Sequence, residues 1–522
     1  MYLRSLIRTL LVVLCLALVS ETNAQDLADV VRDPASVTPE LRTQAAERLQ
    51  RMRRRVDAQD PLVVAALERA EGLFADGRPV QDALDKAVLV VANQVWLREA
   101  ARDPESVIAH PMAHAWFGEI PADAERVTRR VTIDTAQDRW HSTGLYAVPG
   151  EVVTVQVPEA MVGSGARIRL SGHRDDIRRR DRWERTPLAV SVAQDLDAGE
   201  VKIASRFGGT VYIDLGRAAD GHGRQSFTIQ GAVEAPMFTL GRDTNNRWQR
   251  QLRDRPGPYA ELVGEQVVLS VPSAWVREID DIAALVRFWD GVVEQHDSLG
   301  GMAHLRTSPE RINVDVQISA GLYHAGYPMQ GPQRQSRNLV DLDKLADHGD
   351  WGWFHELGHE AQRRPDTAWS WDNPYTFDGS IECTVNLFTV HAMQQLGLET
   401  LGGWAWTATA EGVAERAQQG IEQGGYQQVG VGHKLAMFLQ VRDAFGWEPI
   451  QQTLESYTTD QDEDKTRLPA NEQAERDQMA LRLSQATGHN LVPFMRDLWK
   501  LPVSDSIEPQ VADLPVWMPE GF

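Results

Sequence analysis

The chain has 522 residues, with 42% hydrophobic and 24% charged side chains, a composition typical of globular proteins. This excludes a disordered, collagenous or multi-span membrane protein, and the length suggests about three or four domains. Fifty-three Lys and Arg against 74 Asp and Glu give a formal net charge of -21, which argues against nucleic acid and anionic lipid as partners because both require positive potential.

The first 24 residues have the pattern of a secretory signal peptide. Arg4 and Arg8 provide a positive start, residues 10–19 are apolar, and Ala24 precedes a plausible cleavage site. The apolar run is too short for a comfortable bilayer span, which needs about 20 residues, so an uncleaved anchor is the lesser alternative. We therefore expect a secreted or periplasmic protein with no integral membrane domain after signal removal.

Residues 25–124 predict a helical N-terminal region in which we identify no chemistry. Thr38 and Pro39 have the character of a helix cap followed by a first-turn proline. Residues 83–96 predict a buried helix. The basic residues around Arg51 are interpreted as a solvated face that pairs with the acidic remainder of the chain, in preference to a binding patch.

Residues 125–233 predict a β-sandwich accessory module. Valines alternate with Thr154 and Gln156, the pattern of a half-buried strand. Short strands at this spacing, separated by turn residues, are typical of a sandwich. The further predicted strands cover residues 166–172, 201–205 and 210–215.

The sandwich region also contains four consecutive polar residues, His173, Arg174, Asp175 and Asp176. Histidine and aspartate are common metal ligands, so a metal site is one possible interpretation. The residues are sequential, however, and nothing in the sequence fixes their geometry. We therefore interpret this run as a solvated turn.

Residues 234–522 predict a mainly helical catalytic domain. Helices are expected around Trp289 and over residues 429–445, 478–487 and 491–499. The whole chain is thus predicted to be a multidomain α+β protein. Its parts are the N-terminal helical region, the β-sandwich module and this helical domain.

The motif with chemical content is HELGH, residues 355–359. His355 and His359 are spaced i and i+4, so on a helix both imidazoles lie on one face and can reach the same Zn²⁺. Glu356 lies beside the metal, where its carboxylate can take a proton from the attacking water. The alternative is a helix that carries two structural histidines.

Glu382 is the best candidate for a third ligand. Residues 381–396 predict an amphipathic helix that ends at Gly397, with Glu382 in its first turn. A carboxylate on a second helix packed across the first is the gluzincin arrangement. Asn386, four residues further on the same face, could orient Glu382 or a bound peptide. Asp366 and Asp372 are weaker alternatives in loop-like sequence.

Three segments together resemble the enhancin-like, mucin-degrading metallopeptidase family. They are GLYHAGYPMQGP at 321–332, WGWFHELGHEAQ at 351–362 and IECTVNLF at 381–388. The resemblance extends over about residues 125–510. It implies a secreted zinc endopeptidase that cleaves glycoproteins, often mucin-like ones with O-glycans near the cut. It also implies one Zn²⁺ per chain, held by His355, His359 and Glu382, with Glu356 as general base.

Substrate contacts are predicted on weaker grounds. His324 and Tyr327 in the HAGYP segment could line the cleft, or the segment could be a turn. Trp371 and Asp372 lie between the two predicted zinc-binding segments and could bind a sugar. Alternatively, the tryptophan packs beneath the loop. The candidates for an oxyanion donor are Tyr323, His324, Tyr327, Tyr375 and His433.

Two other functions stay open from the sequence. One is a non-catalytic glycan- or mucin-binding protein that retains a structural zinc, and the other is a zinc peptidase of unglycosylated substrates. Glu356 favours an enzyme, because a structural metal site has no use for a base. The expected partner is a glycoprotein or mucin, and the sequence makes no prediction of oligomeric state.

Overall fold

A computed structural model describes residues 24–53, 56–188, 190–216, 221–370 and 373–520. The predicted signal peptide, residues 1–24, lies outside these ranges apart from Ala24, where the first helix begins. Within the described ranges, no helix combines the length and apolar character that crossing a bilayer requires. The chain forms a helical region, a β-sandwich and a third region of helices with a small sheet, so the predicted multidomain α+β class is confirmed.

The described residues of the N-terminal region form five α-helices, whose apolar residues share one core with part of the sandwich. They are α1 (Ala24–Arg32), α2 (Pro39–Met52), α3 (Pro61–Gly72), α4 (Ala83–Arg102) and α5 (Ala113–Phe117). Helix α2 begins at the predicted proline. Helix α4 begins where the Asp82 carboxylate accepts hydrogen bonds from the N–H groups of Leu84 and Asp85, which satisfies two backbone donors at the helix start.

Eight strands form the sandwich, in two layers that share the long strand β8. They are β1 (Val127–Asp134), β2 (Trp140–Ala147), β3 (Val153–Gln156), β4 (Arg167–Leu170), β5 (Val192–Asp195), β6 (Glu200–Ile203), β7 (Gly209–Asp214) and β8 (Arg224–Glu234). One layer has the order β1-β8-β3-β6 and the other β5-β4-β7-β2, and β2 also pairs with the end of β8. Apolar side chains from both layers form one core, as in a β-sandwich.

The predicted strand around Thr154 is confirmed as β3. Val153 and Val155 are buried, whereas Gln156 is exposed, so the alternation in the sequence matches the two faces of the strand. The strands predicted on either side of Gly208 are β6 and β7, but they are not neighbours. Strand β6 pairs with β3, whereas β7 lies between β2 and β4.

The third region contains a five-stranded sheet that the sequence analysis did not predict. Its strands are β9 (Met237–Thr239), β10 (Tyr259–Val263), β11 (Val267–Pro272), β12 (Glu310–Asp315) and β13 (Met329–Pro332). The order is β13-β12-β11-β10-β9, with β10 and β11 antiparallel and the other pairs parallel. Every residue of β12 and β13 is buried. Residues 311–315 of β12 alternate between polar and apolar, but the polar ones face other parts of the protein instead of water.

Ten α-helices complete the third region in the described part of the chain. They are α6 (Asn245–Arg247), α7 (Ile282–Gly300), α8 (Leu342–His348), α9 (Trp351–Gln362), α10 (Ile381–Gln395), α11 (Ala410–Glu422), α12 (Val431–Phe445), α13 (Glu448–Glu463), α14 (Glu472–Thr487) and α15 (Glu508–Val511). The predicted helices around Trp289 and over residues 429–445 and 478–487 correspond to α7, α12 and α14. The predicted helix at 491–499 contains a π-helical turn, Pro493–Leu498.

Strand β12 has one apolar face and one polar face. Ile312 and Val314 join an apolar core together with residues of α7. Arg311 and Asp315 project from the other face, and both are fully buried. The guanidinium of Arg311 donates to the Trp140 carbonyl of the sandwich at 3.0 Å. The polar face of β12 is therefore the surface that meets the sandwich.

Buried ion pairs join the sandwich to the third region. Arg185 of the sandwich donates to both carboxylate oxygens of Asp315, at 2.9 and 2.7 Å. Arg139 of the sandwich donates to Glu310 at 2.9 Å. Because each charge is out of water, its partner compensates a large desolvation penalty. Arginines of the sandwich are therefore matched to buried carboxylates of the third region.

The solvated-turn interpretation of residues 173–176 is wrong for two of the four side chains. His173 is buried, with its Nδ1 atom 3.6 Å from a carboxylate oxygen of Asp315. Asp175 is partly buried and contacts the third region, whereas Arg174 and Asp176 are exposed. The sequence did not reveal this because the residues that cover His173 and Asp175 come from a distant part of the chain.

Replacing Arg185 with methionine tests the buried junction. The variant leaves the Asp315 carboxylate buried without its main cation, so we expect the free energy of unfolding to fall by about 3–5 kcal/mol. The matched control is Arg178→Ala, which removes an exposed pair with Asp176 and should change the free energy by no more than about 1 kcal/mol. Urea unfolding followed by fluorescence measures both, and equal effects would contradict the prediction.

Candidate metal centre

Helix α9 carries the HELGH motif. The helix begins at Asp350, whose carboxylate accepts a hydrogen bond from the Trp353 N–H at 3.2 Å. One side of the helix packs into the apolar core. The half-buried residues on the other side are Trp351, Gly352, His355 and Glu356. The imidazole rings of His355 and His359 have centroids 4.6 Å apart, as the i, i+4 spacing predicts.

Helix α10 crosses α9 at close range and brings Glu382 to the two histidines. The crossing occurs at Gly358, where an added Cβ would lie 2.9 Å from the Val385 Cγ2 atom. Oxygens of the Glu382 carboxylate lie 3.1 Å from His355 Nε2 and 3.6 Å from His359 Nε2. The structure therefore brings together the three residues that the sequence analysis predicted as ligands.

The geometry of these three side chains fits a tetrahedral divalent cation. With ligand bonds of about 2.1 Å, neighbouring ligand atoms of a tetrahedral zinc site are about 3.4 Å apart, close to the observed 3.1 and 3.6 Å. Two imidazoles and one carboxylate, with room for water, are also the donor set of catalytic zinc sites. The residues could therefore hold Zn²⁺.

Amide oxygens fix both imidazoles in the orientation that a metal needs. Asn386 Oδ1 lies 3.0 Å from His355 Nδ1, and Gln362 Oε1 lies 2.8 Å from His359 Nδ1. Because an amide oxygen only accepts, each Nδ1 carries a proton, and Nε2 is the ring atom that faces Glu382 and could bind a metal. The amide NH₂ group of Gln362 donates to the Thr384 hydroxyl at 2.6 Å, which sets the amide's own orientation.

Glu356 stands beside the three ligands in a setting suited to a base. The backbone of Ala325 in the HAGYP segment lies against its carboxylate and lowers its pKa. Burial raises the pKa of Glu356 above its usual value, and the neighbouring imidazoles oppose that rise. By contrast, hydrogen bonds with His355 and His359 hold the pKa of Glu382 well below its usual range. The two glutamates are therefore in different electrostatic environments.

The other predicted site residues take varied positions. His324 Nε2 lies 2.7 Å from the Asp175 carboxylate, and the Tyr327 ring lies beneath the Arg139 guanidinium at 4.6 Å. Their predicted contact with substrate stays a prediction. Asn386 contacts His355 rather than the Glu382 carboxylate, although its NH₂ group donates to the Glu382 carbonyl. Trp371 and Asp372 lie outside the described residues.

The remaining aromatic candidates for an oxyanion donor already have partners. The Tyr323 hydroxyl donates to the Gln335 carbonyl at 2.8 Å. The hydroxyl of Tyr375, which is buried, lies 3.4 Å from the Gln362 carbonyl. Their predicted role as donors stays a prediction.

Two features of the site were not predicted from the sequence: Gln362 and a row of tryptophans. Gln362 follows His359 by three residues, a spacing that places both on one helix face and could have identified it. Trp351 stacks on Trp404 with ring centroids 4.5 Å apart and an interplanar angle of 8°, and Trp406 lies 6.3 Å beyond. The Trp404–Trp406 segment is more than 40 residues from the motif in sequence, so local patterns could not place it here.

Comparison with known proteins identifies two regions of the chain. Residues 231–499 match the profile of the family described as Peptidase M60, enhancin and enhancin-like. Residues 122–229 match the profile described as the N-terminal domain of M60-like peptidases. The resemblance drawn from the three sequence segments is therefore confirmed.

Curated relatives include animal proteins. A TRPM8 channel-associated factor homolog from Xenopus laevis is 30% identical over 383 residues, which is 72% of this chain and 40% of that protein. TRPM8 channel-associated factor 1 from Bos taurus is 32% identical over 381 residues, 72% of this chain and 39% of that protein. The chain therefore spans about 40% of the length of the curated relatives it matches.

Solved structures share the fold at low sequence identity. The IMPa protein from Pseudomonas aeruginosa, solved in complex with an O-glycopeptide, is 17% identical with a TM-score of 0.59, covering 95% of this chain and 63% of that one. A conserved protein of unknown function from Bacillus anthracis is 21% identical with a TM-score of 0.59, covering 76% and 80%.

Metal titration tests the centre directly. We expect one Zn²⁺ to bind per chain, and Glu382→Ala to weaken binding strongly because one of three ligands is lost. Gln362→Leu should weaken binding about 10- to 100-fold, because it frees the His359 ring without removing a ligand. Competition with a chromogenic chelator measures the affinities, with Gln418→Leu on the exposed side of α11 as control. Unchanged affinity in Gln362→Leu would contradict the assigned role.

Proposed function

The chain belongs to the M60 family of enhancin and enhancin-like peptidases, and on this premise we propose that it is a secreted zinc endopeptidase of O-glycosylated, mucin-like glycoproteins. The observation that carries the proposal is the convergence of His355, His359 and Glu382 on one point, with Glu356 beside them. The predicted signal peptide supports secretion.

In the proposed mechanism the ligands and the base have separate tasks. His355, His359 and Glu382 hold the metal, and when bound, Zn²⁺ supplies a Lewis acid for the scissile carbonyl and for water. Glu356 takes the proton of the attacking water and returns it to the leaving amine. A carboxylate whose pKa is raised by burial suits both steps, because it can hold the proton between them.

The row of Trp351, Trp404 and Trp406 supports a glycosylated substrate. All three rings are half-buried, and Trp351 belongs to the same side of α9 as His355 and Glu356. The row therefore begins on the side of α9 that carries His355 and Glu356. Flat apolar rings with one polar edge suit the faces of sugar rings. Trp371 and Asp372 are proposed to add to this contact. The solved complex of IMPa with an O-glycopeptide concerns a protein of the same fold and points to the same substrate class.

The test of the chemistry is Glu356→Gln. This change keeps the shape of the side chain but removes the proton acceptor, so we expect cleavage of an O-glycosylated mucin to fall about 10²- to 10⁴-fold. Zinc content should stay at the parent value. Mass spectrometry of the products measures cleavage, and a chelator should abolish it in the parent. A Gln variant that cleaves as well as the parent would show that the base is assigned wrongly.

The test of the substrate class is Trp404→Ala. Removal of the middle ring should lower kcat/KM for an O-glycopeptide about tenfold, equivalent to about 1.4 kcal/mol, without changing kcat/KM for the same peptide deglycosylated. Trp275→Ala is the matched control, because this half-buried tryptophan lies in the connection after β11. If the parent prefers the deglycosylated peptide, the glycan part of the proposal fails and the peptidase part stands.

A further inference from the structure

The sandwich contributes to the catalytic site through one carboxylate. We infer that Asp175 is a positioning residue: it holds His324, and through the adjoining Ala325 it fixes the orientation of the Glu356 carboxylate. The inference rests on the proposed peptidase function. It assigns a catalytic consequence to a residue that lies outside the region of the zinc motif, in the loop that follows β4.

Asp175 and its neighbours bind residues 318–326, the segment around His324, from the sandwich side. One oxygen of the Asp175 carboxylate accepts from His324 Nε2 at 2.7 Å and from the backbone N–H of Ser319 at 2.6 Å. Arg180 of the same loop donates to the Ile318 carbonyl at 2.9 Å. These bonds fix both the start of the segment and its histidine.

The same segment holds α9 from the other side. The N–H of Gly326 donates to the Glu360 carboxylate at 2.7 Å. The backbone of the preceding residue, Ala325, lies against the Glu356 carboxylate and lowers its pKa. Glu356 and Glu360 are one helical turn apart, so residues 325 and 326 face successive carboxylates on α9. A shift of this segment would therefore change the surroundings of Glu356 as well as the bond to Glu360.

Both ring nitrogens of His324 face acceptors within the protein. Nε2 meets the Asp175 carboxylate, and Nδ1 lies 3.0 Å from the Ala325 carbonyl. Only the imidazolium, which carries a proton on each nitrogen, can satisfy both. The charged groups that face the ring are the carboxylates of Asp175 and Glu356; burial opposes the charge, but these groups raise the pKa of His324 above its usual value. We therefore assign His324 as a fixed cation that fastens the segment.

The consequence should appear in kcat rather than in substrate or metal binding. A base must lie within hydrogen-bond reach of the proton it takes, and a displacement of about 1 Å can cost about 10²-fold in rate. Asp175→Asn keeps the size of the side chain and removes its charge. We expect kcat to fall about 10- to 100-fold, with KM and zinc content at their parent values.

The pH profile separates this role from a merely structural one. His324 is protonated at low pH, and the ion pair is lost as pH rises through its raised pKa. Without the Asp175 charge, that pKa falls, so the alkaline loss of kcat should begin at a lower pH in Asp175→Asn than in the parent. The matched control is Asp176→Asn, which alters the adjacent carboxylate, paired with Arg178 on the surface. It should leave both kcat and the profile unchanged.

Two further measurements keep the inference falsifiable. His324→Gln removes the other partner of the ion pair and should lower kcat as Asp175→Asn does. Because both changes break the same contact, the double variant should be no slower than His324→Gln alone. Histidine NMR, with the His324 signal assigned by its absence in His324→Gln, should show a higher pKa in the parent than in Asp175→Asn. This readout requires no activity.

The outcomes distinguish the two proposals. If the parent cleaves glycoprotein and Asp175→Asn has the parent's kcat and pH profile, the positioning role is wrong and the proposed function stands. If Asp175→Asn does not fold, a parent-like kcat in His324→Gln overturns the inference. If the parent cleaves no peptide, the proposed function fails and the catalytic role of Asp175 fails with it. In that case the NMR titration tests only the ion pair between Asp175 and His324.

Discussion

The close crossing of α9 and α10 is the contact on which the candidate site depends. At Gly358 the absence of a side chain lets α10 approach until only 2.9 Å would separate an added Cβ from Val385. This close approach places Glu382 opposite His355 and His359. The ligand geometry is therefore a result of apolar helix packing, and the amides of Asn386 and Gln362 then set the ring orientations.

A second constraint is the polar face of β12. Arg311 and Asp315 are buried against the sandwich, where Arg185 compensates Asp315. The same boundary carries the Asp175–His324 contact, one residue before the backbone that lies against Glu356. The surroundings of Glu356 are thus built partly from outside the helix that carries it. The sandwich and the helical region therefore meet through specific contacts close to the candidate site.

The sequence was sufficient where a pattern is local and insufficient where partners are distant. The i, i+4 histidines and the helix that begins near Glu382 are local patterns, and the structure brings them together as expected. Strand β12 was missed although residues 311–315 carry the polar–apolar alternation of a strand. Strand β13 gave little signal, because it has only four residues and ends in Gly331 and Pro332. Asp175 was taken for a solvated residue because its partner His324 lies 149 positions away. Gln362 carried a usable spacing signal, whereas Trp404 carried none.

The matched charges between the sandwich and β12 also constrain how such a protein can change over time. A sandwich without an arginine at position 185 would leave the buried Asp315 without its main cation. Recombination at the joint between the two regions is therefore disfavoured, and drift at one member of a pair selects for compensation at the other. The two regions should descend together as a single unit of inheritance.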